Sequence, residues 1–182
     1  MKVITGKVRL SYAHIAEPYA HNEGDKEKYS CSVIVSKDDE ETIKKIEEAV
    51  ESVIKNEGSS KWGNKRPAKL KTPLRDGDEE KPDSEEYANS YFFNCSTMRQ
   101  PQCVDADRMP IDASEIYSGC NARISVNFYP YSVSGNKGVA AGLGNIQLLP
   151  GGANLGGGGS TAAEDFGKPA SDFDDESDDM MG

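Results

Sequence analysis

Long apolar runs are missing from this chain. No stretch of its 182 residues approaches the roughly 18 consecutive apolar side chains expected of a membrane-spanning helix. The first residues alternate rather than forming the apolar block of an export signal, so a soluble, cytoplasmic protein is expected. Histidine is scarce: His14 and His21 are the only two. The cysteines Cys31, Cys95, Cys103 and Cys120 show no CxxC spacing and no HxxxH pair accompanies them. Zinc sites use tighter spacing, so these read as reduced thiols, and neither a metal nor any other cofactor is expected. GxSxG, P-loop and HExxH patterns are absent as well. Acyl transfer, nucleotide hydrolysis and zinc proteolysis therefore lack their residues. An enzyme is not expected.

Charge, by contrast, is plentiful and segregated. The formal net charge is −10, yet residues 164–182 alone hold eight acids and one lysine, or −7, and the other 163 residues carry 23 acids against 20 bases. The body is close to neutral, so the acidity of the whole does not exclude an anionic partner. Hydrophobic residues make up 36%, below the globular norm. After Pro150 the composition falls to glycine, alanine, serine and acid. Two parts are expected: a folded domain over residues 1–150, then a glycine-rich linker and disordered acidic tail over 151–182, which buries too little apolar surface to offset ordering entropy.

Within the body, hydrophobic periodicity marks the elements. Residues 1–12 alternate, with Ile4, Val8, Leu10 and Tyr12 expected inward and Thr5, Lys7, Arg9 and Ser11 outward. A polar stretch broken by Pro18, Asn22 and Gly24 precedes a second strand at 29–35. Ser36 is a candidate N-cap, and Ile43, Ile46, Val50, Val53 and Ile54 recur at helical spacing up to Gly58. Further strands are expected at 91–97, 102–104, 120–131 and 138–149, the last pair joined by a turn at Ser134–Gly135–Asn136. Residues 76–86 carry seven acids and one lysine and read as a surface loop. The fold class is mostly β: an OB-fold-like five-stranded barrel with one amphipathic helix, with a β-sandwich as the competing arrangement.

Two features bear on function. Residues 59–75 hold six cations, no acid and the single tryptophan, Trp62. On the outer face of 120–131, Arg123, Tyr129 and Tyr131 recur at period two. Unpaired nucleic acid offers a phosphate and a π-face per nucleotide, and a groove of cations and aromatic rings meets both. The candidate contacts are Lys7, Arg9, Lys65, Arg66, Lys69, Lys71, Arg99 and Arg123 for phosphates, and Trp62, Tyr91, Tyr129 and Tyr131 for stacking. The same residues also fit a structural or protein-interaction β-domain whose tyrosines pair across strands. In the tail, Asp172, Asp174, Asp175, Glu176, Asp178 and Asp179 surround Phe173. Apolar anchors amid acids suit a basic pocket on a partner protein, or the cationic groove of the same domain.

Three segments resemble the single-stranded-DNA-binding replication proteins of tailed bacteriophages. They are Tyr91–Phe92–Phe93–Asn94 with Arg99–Gln100–Pro101 and Val104–Asp105; Ile116–Tyr117–Ser118–Gly119–Cys120 running to Asn127–Phe128–Tyr129; and Gly135–Asn136–Lys137–Gly138–Val139 with Gly142–Leu143 and Asn145–Ile146–Gln147. The resemblance spans residues 1–149, and the acidic tail completes it. It implies an OB fold, binding and protection of single-stranded DNA in phage replication and recombination, and a tail that recruits replication partners such as polymerase and helicase-primase. A homodimer is a candidate assembly. The family has no catalytic residues to carry over.

Overall fold

The computed structural model describes residues 1–63 and 67–155. Along the chain run β1 (Lys2–Ile4), β2 (Val8–Tyr19), β3 (Lys28–Ser36), α1 (Glu40–Asn56), α2 (Ser59–Trp62), β4 (Arg75–Asp76), α3 (Gly77–Glu80), β5 (Ser90–Thr97), β6 (Cys103–Val104), β7 (Asn121–Val133) and β8 (Asn136–Leu149). Five of the strands close a ring: β2 pairs β3, β3 pairs β5, β5 touches β8, β8 pairs β7, and β7 returns to β2. This is the five-stranded barrel expected from the sequence. Its pairings are antiparallel except at β5–β8, a parallel contact made at one register, Ser96 opposite Gly142. That seam is therefore splayed, which matters for the site.

Side-chain alternation explains the inner face of β7. Ala122, Ile124, Val126 and Phe128 point into the barrel and are buried, while Arg123, Asn127 and Tyr129 point out. Ser125 breaks the pattern at a bulge: it is buried, and its hydroxyl accepts from the Asn145 amide at 2.8 Å. Gly144 faces it, because a Cβ there would overlap the Ser125 hydroxyl oxygen. The β7–β8 hairpin turns on Ser134 and Gly135, both at positive φ, the two-residue geometry that matches strand twist.

Helix α1 buries Ile46, Val50, Val53 and Ile54 as its spacing predicts, and packs on β1, β7 and β8. The N-cap differs from expectation. Asp39, not Ser36, caps α1 by accepting from the Thr42 amide, whereas the Ser36 hydroxyl accepts from the Asp38 amide one turn earlier, where β3 ends. Both bonds satisfy amides that strand and helix leave free.

Other expectations fail for identifiable reasons. Val3 and Thr5 are buried and Ile4 is exposed, because the chain changes phase at Gly6 between β1 and β2. Thr5 is held inside by bonds with Ile124 in both directions. Tyr12 points out, at φ +47 where β2 bulges after Ser11. The polar stretch after residue 12 is not a loop at first: β2 continues to Tyr19. Residues 76–86 fold into α3 and a following 3-10 turn, with Tyr87 buried on Ile34 and Phe92 outside the barrel. Lys37 reaches over to Asp76 and Asp78 at 3.0 and 2.9 Å, tying this segment down.

Past Pro150, residues 151–155 remain docked on the β2–β7 side rather than leaving the body. Tyr117 donates to the Gly152 carbonyl, Arg9 to the Ala153 carbonyl, and the Leu155 amide to the Ser118 carbonyl. Gly119, at φ +108, permits this, since a Cβ there would strike the Ala153 carbonyl oxygen. The tail residues Asp172, Phe173, Asp174, Asp175, Glu176, Asp178 and Asp179, and the loop cations Lys65 and Arg66, lie outside the described residues. Among the described residues no helix is long and apolar enough to cross a membrane.

Candidate nucleic-acid interface

A groove of about 1470 Å³ crosses the outer face of β3, β5 and β8. Its floor is made of small or polar side chains, Ser30, Ser32, Asn94, Ser96 and Ala140, which leave depth. Aromatic rings stand at both ends. Tyr12 and Tyr19 of β2 close one end, and Tyr129 and Tyr131 of β7 the other. Tyr12, Tyr19 and Tyr129 are 59%, 44% and 42% exposed, so these rings are open to a ligand rather than sealed in the core. Gly142 lies beside Tyr129, where an added Cβ would meet the ring at 3.5 Å.

The cationic wall comes from residues 71–75, which lie across the splayed β5–β8 seam. Lys71 bridges Gly138 of β8, exchanging backbone bonds of 3.0 and 2.9 Å with Lys137 and Val139. Four residues later, Arg75 pairs with Phe92 of β5. Gly138 is required here, because a Cβ would overlap the Lys71 carbonyl oxygen. Lys26, Lys28 and Lys81 add positive charge around the rim, and the Lys81 ammonium sits 5.7 Å from the Tyr12 ring centroid. Two acids, Asp25 and Glu80, also line the groove, the latter paired with Arg75.

Not every candidate residue reaches this groove. Lys71, Tyr129 and Tyr131 line it. Lys69 is exposed two residues before Lys71. Trp62 is half-buried against the core, and its Nε1 donates a 2.8 Å bond to the Tyr131 carbonyl, anchoring the start of the basic segment. Tyr91 lies outside the groove lining with the Lys37 ammonium over its ring, 5.1 Å from the centroid. Arg9 and Arg123 spend their guanidinium Nε donors on backbone carbonyls, of Gly119 and Thr5 respectively. They belong with exposed Lys7 to the β1–β2–β7 side, away from the groove lining. Arg99 is exposed in the loop after β5.

Sequence reasoning missed Tyr12, Tyr19, His21, Lys26, Lys28 and Lys81, all in the groove lining. Tyr12 was hidden by its bulge. The others sit in segments without periodicity, where only the mixture of rings and lysines was a signal.

The thiols have no part in the exposed chemistry. Cys31 and Cys95 face each other across β3 and β5 with sulfurs 3.7 Å apart, and their mutual hydrogen bond and burial push the Cys31 thiol well above its ordinary value. Burial lifts Cys103 and Cys120 to about 11. Among the described residues no three potential ligands converge on a metal position.

Known proteins resemble this arrangement. A family model described as "Enterobacter phage Enc34, ssDNA-binding protein" matches residues 1–181. Protein p50 of Acyrthosiphon pisum secondary endosymbiont phage 1 is 30% identical over 177 residues, covering 91% of this chain and 92% of that one. Among solved structures, the single-stranded DNA-binding protein from bacteriophage Enc34 in complex with ssDNA superposes with a TM-score of 0.75 at 25% identity, over 85% of this chain and 89% of that one. The fold is shared with gp2.5, the single-stranded DNA-binding protein encoded by bacteriophage T7, at a TM-score of 0.61 and 16% identity over 98% and 95% of the two chains.

Proposed function

Because the chain belongs to the Enc34 ssDNA-binding protein family, we propose that it binds single-stranded DNA without sequence preference, in the groove over β3, β5 and β8. It is a binder, not an enzyme. The observation that carries this reading is the convergence of exposed rings from β2 and β7 with cations from residues 71–75 on one trough. Bases stack on Tyr12, Tyr19 and Tyr129, at roughly 1–3 kcal/mol each. Lys26, Lys28, Lys71, Arg75 and Lys81 neutralise phosphates. No base-edge reader is needed for this, and sequence tolerance follows.

Trp62 acts in this scheme as the anchor that aligns the basic segment with Tyr131, supported by its hydrogen bond to that residue. Lys65, Arg66 and Lys69, on the stretch between Trp62 and Lys71, extend the phosphate track. Arg99 meets the strand where it leaves over the loop after β5. The protein works in the cytoplasm of the infected cell, coating single strands during replication and recombination. Its acidic tail, through Asp172, Phe173, Asp174, Asp175, Glu176, Asp178 and Asp179, engages replication proteins, an idea supported by the placing of an aromatic ring among acids.

Salt-titrated binding of single- and double-stranded oligonucleotides tests the core of this reading. Each neutralised phosphate contributes about −0.7 to the slope of log K against log salt on a single strand, so the five groove cations give about −3.5 and the further cations of the track steepen it. Weak, salt-independent association would contradict it.

A further inference from the structure

The two histidines of the chain stand together at one end of the groove. His14 stacks on Tyr19 with ring centroids 4.3 Å apart and planes 8° from parallel. His21 meets Tyr19 edge-on at 5.1 Å and lies 6.4 Å from His14. Tyr19 and His21 line the groove. In a regular strand, residues five apart point to opposite faces. Here β2 carries five residue steps from His14 to Tyr19, while β3 covers the same ground in two, from Ser30 to Lys28. The excess bulges out and brings both rings to the same side.

We propose that the His14–Tyr19–His21 stack is a proton-coupled phosphate subsite: a nucleotide seated on it holds the imidazoles in their charged form, so the complex takes up protons as it forms. This rests on the binding reading above. Without DNA the charged form of His14 is disfavoured. Burial, and then the neighbouring His21, hold His14 below the ordinary histidine value. The surrounding charges are of both signs, with Glu23 and Glu27 exposed in the segment between β2 and β3. Lys28 of β3 is paired with Tyr19, Lys26 and Asp25 occupy the turn beyond it, and Lys81 lies across the groove. Glu17 is exposed on β2 itself, and Arg99 follows in the loop whose Gln100 amide donates to the Ile15 and Ala16 carbonyls. A phosphate placed beside the imidazoles adds negative charge there and favours their charged form. The imidazolium then gains both the phosphate and the face of Tyr19.

Oligo-dT is the appropriate probe, because neither its phosphodiesters nor its bases titrate between about pH 6 and 8, where histidine does. The expected results are an upward movement of both imidazole titration midpoints by NMR on adding oligo-dT, and an affinity that strengthens as pH falls. One proton taken up per histidine gives at most about tenfold per pH unit for each. In the variant His14→Phe with His21→Gln, which keeps a ring on Tyr19 but removes titration, the pH dependence should vanish whatever affinity remains. If the double variant folds poorly, each single variant should lose the share of the pH dependence that its own histidine supplies and keep the other's. Tight binding with unmoved imidazole midpoints, or a pH dependence that survives the substitutions, would overturn the subsite while leaving the binding reading intact. No binding at any pH would overturn both.

Discussion

The indole Nε1 of Trp62 donates a 2.8 Å hydrogen bond to the carbonyl of Tyr131. One bond thus ties the end of α2, where the basic segment begins, to the strand that supplies the groove with its β7 tyrosines. Trp62→Phe should leave that carbonyl without its donor, costing about 1 kcal/mol of stability. Affinity for oligo-dT should fall less than for removal of a groove ring. Urea unfolding and fluorescence titration on the same samples separate the two effects.

Tyr12 and Tyr129 present the reverse profile. Both rings are exposed, so Tyr12→Ala and Tyr129→Ala should leave the unfolding midpoint nearly unchanged. Each should weaken oligo-dT binding by about 1–3 kcal/mol. A large loss of stability without loss of affinity would assign these rings to packing.

Gly138 has no room for a side chain beneath Lys71. Gly138→Val should push residues 71–75 off the β5–β8 seam. The expected outcome is weaker binding with a shallower salt slope, by about 0.7 for each phosphate that the displaced cations no longer neutralise. A salt titration of the variant against the parent chain checks this.

Lys37 holds Asp76 and Asp78 below the ordinary carboxylate range through hydrogen bonds to both, and they in turn hold its ammonium above the ordinary lysine value. Depressed carboxylates contribute stability that is present above their unfolded values and lost as pH falls through the folded ones. The contribution therefore fades below about pH 4. Lys37→Met should flatten this acid limb of the stability profile, measured as the thermal midpoint between about pH 5 and 2.

Residues 151–155 are docked on the β2–β7 side, outside the groove lining. Residues 164–182 carry eight acids and one lysine, a charge of the same sign as the DNA phosphates that seek the groove cations. Removing residues 164–182 should tighten oligo-dT binding at low salt and matter little at high salt, where screening removes the competition. Unchanged low-salt affinity would show that the tail does not compete for the groove.

Much of this architecture could be read from local pattern. Strict alternation placed Ala122, Ile124, Val126 and Phe128 in the core and Tyr129 outside, and helical spacing placed Ile46, Val50 and Val53 beneath α1. What escaped was set by bulges and by closure of the ring. A bulge turned Tyr12 outward against the phase of its strand. Alternation put Arg123 on the same outer face of one strand as Tyr129, yet a barrel curves, and the Arg123 end of β7 lies beside Thr5 rather than over the groove. Tyr19, His21 and Lys28 sat in a polar stretch with no period to mark them. Tertiary closure, not composition, decided which rings and cations share a surface.

Hydrogen–deuterium exchange of the full chain with and without saturating oligo-dT tests the central assignment most directly. Protection should concentrate on β3, β5 and β8 and on the segments bearing Tyr12, Tyr19, Lys71 and Tyr129. Protection centred instead on the Arg9–Arg123 side, with the groove strands unchanged, would contradict it.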